Sequence, residues 1–296
     1  MRNESRMSGS GRGGEKPIAE MRRGAYRLLL HITVFRDDLH EPAPVEELEA
    51  LSNKKRRARL DAIRDACRAY VTGPLREFLA VQLADAAGGA GRIEVDEADP
   101  DGQTLLVWYP EVEPRDGAYV RPVVRIESGA KSALDPNGPV TILPYISEEA
   151  SGLDLAVGDV TTIEATRTFW DKMVIAHGLR RWYERRGVLR QEGQRVSRHY
   201  YDLHCLLASE VGKAALADRD LGADCVRHAR MFFDRPDYNL ASAAPGTFAI
   251  APVSMMIDAL YRDYENTTAM IFGAAPRFEE ILVSAKQIED AANRRF

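Results

Sequence analysis

The stretch Thr166–Leu207, TRTFWDKMVIAHGLRRWYERRGVLRQEGQRVSRHYYDLHCLL, constrains the chain more than any other. Phe169, Trp170, Met173, Val174 and His177 recur at three- and four-residue spacing, and so do Tyr200, Leu203, His204 and Leu207. Each set marks one face of a helix that must be buried against something else. Ser197 stands where the second helix would begin. The stretch therefore reads as two packed helices joined by a polar, basic loop. Lys172 and Asp202 sit among their apolar and aromatic residues, and a charge buried alone there costs on the order of several kcal/mol. Each needs a partner or a task, and an ion pair between the two helices is the simplest arrangement. Arg198, four residues before Asp202, is its neighbour on the helix surface.

At 296 residues and 45% hydrophobic, the chain has material for one large domain or two smaller ones. A formal charge of −5 argues against a general nucleic-acid coat protein, while the basic region Arg180–Arg198 leaves room for a local anionic ligand. Cys67, Cys205 and Cys225 are too few and too scattered for a disulfide framework, which favours a reducing, cytoplasmic location. No apolar run approaches the roughly 18–20 residues of a membrane span. The pair Arg22–Arg23 precedes an apolar run, but Arg27 and His31 interrupt it and no clean small-residue cleavage site follows, so no export signal is expected.

Residues 1–30, rich in Gly, Ser and Arg, read as a flexible tail. Leu28–Phe35 suits a buried strand. Helices are expected over Val45–Leu51 and Lys54–Tyr70, with Lys54–Arg59 as a solvated face. Pro74 is expected to begin a further helix with Leu75, Phe78, Leu79 and Leu83 inward, closed by Gly88-Gly89. Three strands follow, Arg92–Glu97, Gln103–Pro110 and Tyr119–Ser128; hairpin turns at 100–102 and 114–117 would make them an antiparallel meander. Alternation puts Val123, Arg125 and Glu127 on one face of the third strand, and Val124 and Ile126 on the other. Glu127 is thus a carboxylate near a strand end, with a solvent-facing or salt-bridged residue as its ordinary reading. Val140–Ile146 is a short extended segment, and 147–159 is acidic and loose. Helices then dominate, over Val211–Phe233, Ser254–Phe272 and Arg277–Asn293. The division expected is a tail over 1–30, an α/β core over 31–160 and a helical domain over 161–296.

The histidines and cysteines lack zinc-ligand spacing. Cys205 follows His204, but adjacent helical residues point about 100° apart, so Cys205 is expected in the core rather than as a nucleophile. No phosphate-binding glycine loop is placed correctly: the N-terminal GSGRGG follows no strand. What remains is Glu127, Lys172, Arg198 and Asp202. A carboxylate at a strand end can hold Mg²⁺, and a lysine on a facing helix can bind a triphosphate tail; a plain Lys172–Asp202 ion pair explains the same residues equally well.

FWDKMVIAHGLRR at 169–181, SRHYYDL at 197–203, VRIESGAKS at 124–132 and the ending from Tyr261 to Asn293 resemble motifs of the AbiEii/AbiGii toxin family of nucleotidyltransferases, over roughly residues 31–296. The resemblance implies an α+β fold: a polymerase-β-like nucleotidyltransferase core of mixed sheet and helices, followed by a helical C-terminal region. It implies a toxin of a type IV toxin–antitoxin or phage-abortive system that moves a nucleotide from an NTP to an acceptor such as tRNA with Mg²⁺, beside a cognate antitoxin. By motif match Glu127 takes the third metal-carboxylate position, Lys172 the triphosphate contact and Asp202 the aspartate of the last motif, with Arg198 beside it as a nucleotide contact.

The family's first motif, a glycine-rich turn and an S-x-D-x-D strand, is absent. Leu29 and His31 stand where its two carboxylates belong, and neither is a hard oxygen donor. The expectation is a family member without transferase activity, arising either from a truncated or frameshifted reading frame or from a paralogue that kept only binding. The alternative is a non-catalytic RNA- or partner-binding protein that uses the basic Arg180–Arg198 region.

Overall fold

In a computed structural model of the chain, the residues described are 28–110, 122–144, 152–190, 195–268 and 273–294, with 147, 150 and 271. Residues 1–27 of the tail expected over 1–30 and the turn over 114–117 lie outside them, and 28–30 belong to a strand.

Strand β1 (Leu28–Thr33) opens the described residues. Helices α1 (Val45–Ala50) and α2 (Asn53–Tyr70) follow, the latter capped by Ser52, whose Oγ accepts the Lys55 N–H at 3.4 Å. Lys54–Arg59 is largely exposed, as expected. Pro74 does not begin a new helix. A π-turn over Val71–Leu75 carries it, and α3 (Arg76–Ala87) continues directly. Proline has no N–H to give and crowds the carbonyl four residues back; widening the turn accommodates both. Gly88, at φ 56°, then closes α3 in the left-handed conformation that glycine adopts freely. Phe78, expected inward, is 60% exposed, because α3 lies on the sheet through Leu79 and Leu83 instead.

The main sheet has strand order β1-β4-β3-β2, with β2 at Arg92–Val95, β3 at Thr104–Trp108 and β4 at Val123–Gly129. β2, β3 and β4 form the expected antiparallel meander, and β1 runs parallel to β4. Ile126 is buried and Val124 packs beside it, so the opposite face of β4 carries Arg125 and Glu127. The core beneath the sheet gathers Leu48, Ile63, Cys67, Val71, Ile93, Leu105 and Ile126.

A second, two-stranded sheet pairs β5 (Asn137–Ile142) with β6 (Val157–Ile163). The segment expected to be loose therefore ends in a strand from Val157. Its mate carries Gly138 and Pro139, poor strand formers that mask the pattern.

The remaining elements are helical: α4 (Ala165–Arg186), α5 (Arg198–Leu207), α6 (Glu210–Ala217), α7 (Arg219–Phe232), α8 (Ser254–Thr268) and α9 (Phe278–Asn293). The helical stretch expected over 211–233 consists of α6 and α7, which divide at Asp218, whose side chain caps α7 by accepting the Leu221 N–H at 2.9 Å. Phe169, Trp170, Met173, Val174 and His177 of α4 are buried as the spacing predicts, with Tyr200 and Leu203 of α5 against them. Cys205 is exposed, contrary to the expected core position, because it points to the outer side of α5 while Leu203 fills the inner side. Helix α7 serves both cores: Cys225, Val226 and Ala229 pack with the helices, Met231 and Phe232 with the sheet. Arg227 fastens the same helix to α1 through Glu46 at 3.0 Å and Glu49 at 2.9 Å. No helix among the described residues is long and apolar enough to cross a membrane.

Candidate nucleotide site

Two groups of side chains bear on the expected site. The first lies on the sheet. Parallel pairing of β1 with β4 sets Leu29 opposite Arg125 and His31 opposite Glu127, and β3 adds Thr104 opposite Glu127. Residues that pair laterally share a face, so one row runs His31, Glu127, Thr104. His31 Nδ1 lies 3.3 Å from Glu127 Oε2, and Arg125 Nε lies 3.1 Å from Glu127 Oε1. Arg125 also reaches Asp96, just past β2, at 3.1 Å. The Glu127 carboxylate is therefore ion-paired with an arginine and has a histidine ring beside it. Mg²⁺ takes several hard oxygen ligands in near-octahedral geometry. One carboxylate with these two neighbours is not such a donor set, and the residues present do not fit the ion.

The second group lies between α4 and α5. Lys172 Nζ donates to Asp202 Oδ2 at 2.6 Å and approaches His199 Nδ1 at 3.4 Å. An ammonium has only protons to give, so Nδ1 of His199 is the unprotonated acceptor and its proton sits on Nε2. Burial, helped by the charges of Lys172 and Arg198, pushes the His199 imidazole down to about 3. His199 is thus a neutral acceptor throughout the physiological range. The Lys172 and Asp202 side chains keep 22% and 35% of their surface open, so the pair meets solvent on one side. Arg198, in the first turn of α5, is exposed and makes no ion pair with Asp202 among the described residues.

The position of α5 is set from a distance. Ser197 does not cap the helix with its own side chain. Its backbone N–H donates to the buried Asp263 Oδ2 of α8 at 2.7 Å, and its hydroxyl pairs with Thr267 at 2.9 Å. The carboxylate supplies both the missing acceptor and a favourable charge at the positive end of the helix.

The structure thus brings Lys172, His199 and Asp202 together in one place and Glu127, His31 and Arg125 in another. No hydrogen bond or ion pair among the described residues joins the two groups. Sequence reasoning missed His199, although it lies three residues before Asp202 and so on the same helix face. It also missed Asp263, for which no local signal exists.

A mixed sheet with a parallel β1–β4 pair, followed by a helical C-terminal region, is the α+β architecture of a nucleotidyltransferase. The family model of the nucleotidyl transferase AbiEii toxin, type IV toxin–antitoxin system, matches residues 41–284, and the chain belongs to that family. The match takes in Glu127, Lys172, Arg198 and Asp202 and begins after the end of β1. Membership implies a cognate antitoxin as partner. Comparison with curated proteins and with solved structures found no match.

Proposed function

We propose that this toxin-family chain binds a nucleoside triphosphate through the α4–α5 pair and does not transfer its nucleotidyl group. The β1–β4 register carries the proposal: it sets Leu29 and His31 on the strand beside Arg125 and Glu127, at the two positions where the family resemblance expects carboxylates. Nucleotidyl transfer depends on neutralising charge on the phosphates and on placing the attacking hydroxyl. A glutamate ion-paired with Arg125 beside His31, with Asp96 turned to the same arginine, provides no seat for the ions that supply this. At the other end, Lys172 is a compact cation for the triphosphate tail. Asp202 and His199 hold its ammonium in place, and the exposed Arg198 guanidinium adds a second phosphate donor.

The test uses the full chain with each labelled NTP, Mg²⁺ and total tRNA as acceptor. No label above background is expected, together with NTP binding of equal strength with and without Mg²⁺ that is lost in Lys172→Ala. Label transfer that disappears in Glu127→Ala would overturn the inactive assignment, and absence of any NTP binding would overturn the nucleotide contact.

A further inference from the structure

The arginines of the basic region differ in how far they are used internally. Arg180 and Arg181 are used internally: Arg180 bonds Glu289 at 2.7 Å and the Ala251 carbonyl at 2.8 Å, and Arg181 bonds Glu184 at 2.9 Å. Arg185, Arg186 and Arg190 gather instead at the far end of α4, where the turn over Pro236–Tyr238 adds Arg235. The Arg190 guanidinium lies over the Tyr238 ring at 5.0 Å and 6.0 Å from the Trp182 ring, and Arg186 lies over Trp182 at 5.5 Å. Trp182 and Tyr238 meet edge to face at 6.1 Å. Asp237 is spent on Arg185 at 3.3 Å and Arg186 at 2.6 Å. Burial first, and the charge of Arg235 second, hold the Arg190 guanidinium below its ordinary value, and neither arginine has an acidic partner among the described residues.

We propose that this arginine–aromatic end of α4 binds single-stranded RNA, with phosphates on Arg185, Arg186, Arg190 and Arg235 and a base stacked on the outer face of a guanidinium. A ring beneath a guanidinium fixes its plane, leaving the N–H edge for phosphate oxygens and the opposite face for a base. Adjacent like charges cost free energy in the unbound protein and are neutralised by a polyanion. An acidic protein segment would satisfy the charges but gain nothing from the stacked planes, which is why RNA is favoured. Trp182 lies ten residues beyond Lys172, about 15 Å along the helix axis, so the surface is separate from the nucleotide pair.

Fluorescein-labelled U12 RNA, followed by anisotropy in rising NaCl, tests this on the full chain. Four phosphate contacts give a slope of about −2.8 in log affinity against log salt, hence about 50-fold weaker binding between 50 and 200 mM. Arg190→Gln/Arg235→Gln should halve the slope and weaken binding about 25-fold at 0.1 M salt. Arg235→Gln alone, at an exposed position that leaves the fold intact, should weaken it about fivefold. Lys172→Ala should leave RNA binding unchanged, so loss of NTP binding and loss of RNA binding are separable. Equal affinity for polyglutamate of the same length, a salt-independent affinity, or undiminished binding by the double variant would each overturn the proposal.

Discussion

His177 should make this protein lose stability in mild acid, by an amount that its surroundings set. It sits fully buried on α4; its Nδ1 accepts the Ala249 N–H at 3.1 Å and its Nε2 faces the Asn239 carbonyl at 3.3 Å. Those partners select the tautomer protonated on Nε2, and a second proton on Nδ1 would oppose the Ala249 N–H. Burial, assisted by Arg181 and Arg180, pushes the imidazole down to about 4, whereas the unfolded side chain titrates near 6.5. The folded pKa lies below the unfolded one, so the unfolded state takes up the proton first as pH falls. The contribution is complete above pH 6.5 and is lost as pH falls toward 4. At pH 5 the unfolded imidazole is about 97% protonated and the folded one about 10%, a loss of about 2 kcal/mol. Urea denaturation at pH 7.5 and pH 5.0 measures it, with His177→Gln as comparison, since glutamine keeps one acceptor and one donor. His199 and His228 are displaced in the same direction and contribute alike to both proteins, so they cancel in the difference. Wild type should lose about 2 kcal/mol more than the variant between the two pH values. Equal losses would falsify the assignment of a neutral, doubly bonded imidazole.

Gly222→Ala should cost about 1–3 kcal/mol in chemical denaturation, since the new Cβ would stand 2.7 Å from the Trp170 ring, which its bond to the Ala215 carbonyl holds in place; Gly158→Ala, with open space at that position, is the neutral control. Asp263→Ala removes the acceptor for the Ser197 N–H and should cost about 1–2 kcal/mol, with faster amide exchange confined at first to the start of α5; uniform exchange changes would contradict the capping role. Lys172→Met breaks a half-exposed pair and should change stability by under about 1 kcal/mol, while weakening NTP binding at least about tenfold; intact binding would leave the pair a packing device only. Leu29→Asp/His31→Asp should introduce Mg²⁺-dependent NTP binding that wild type lacks, and an unchanged Mg²⁺ titration of the variant would count against the β1 register as the cause.

The helical half was legible because burial there follows helical period: one stripe of α4 and one of α5 face a common core, and spacing alone identifies them. The meander was legible from turn residues between β-branched runs. What escaped was set by tertiary context. β5 and β6 are exposed on both faces, so no alternation marks them. Pro74 is tolerated mid-helix because one turn widens around it, a local adjustment with no signature beyond the proline itself. Cys205 looked like core because its neighbours are. At the candidate site, Lys172 and Asp202 could be paired from sequence, since each stood out against an apolar face. The engagement of Glu127 by Arg125 and His31 required knowing that β1 lies beside β4 and in which register, which depends on two segments nearly a hundred residues apart.

The double membership of α7 bears on how the molecule can be divided. Met231 and Phe232 belong to the core beneath the sheet, although their helix grows out of the other core. A fragment ending near residue 160 would lose them and open a gap against Leu48 and Ile63 of the sheet layer, while the complementary fragment would carry both side chains bare into water. Neither piece is a ready-made unit, so binding measurements on isolated halves would report on damaged cores. Loss of order at the end of α7 should pass to both layers at once, giving one cooperative melting transition rather than two.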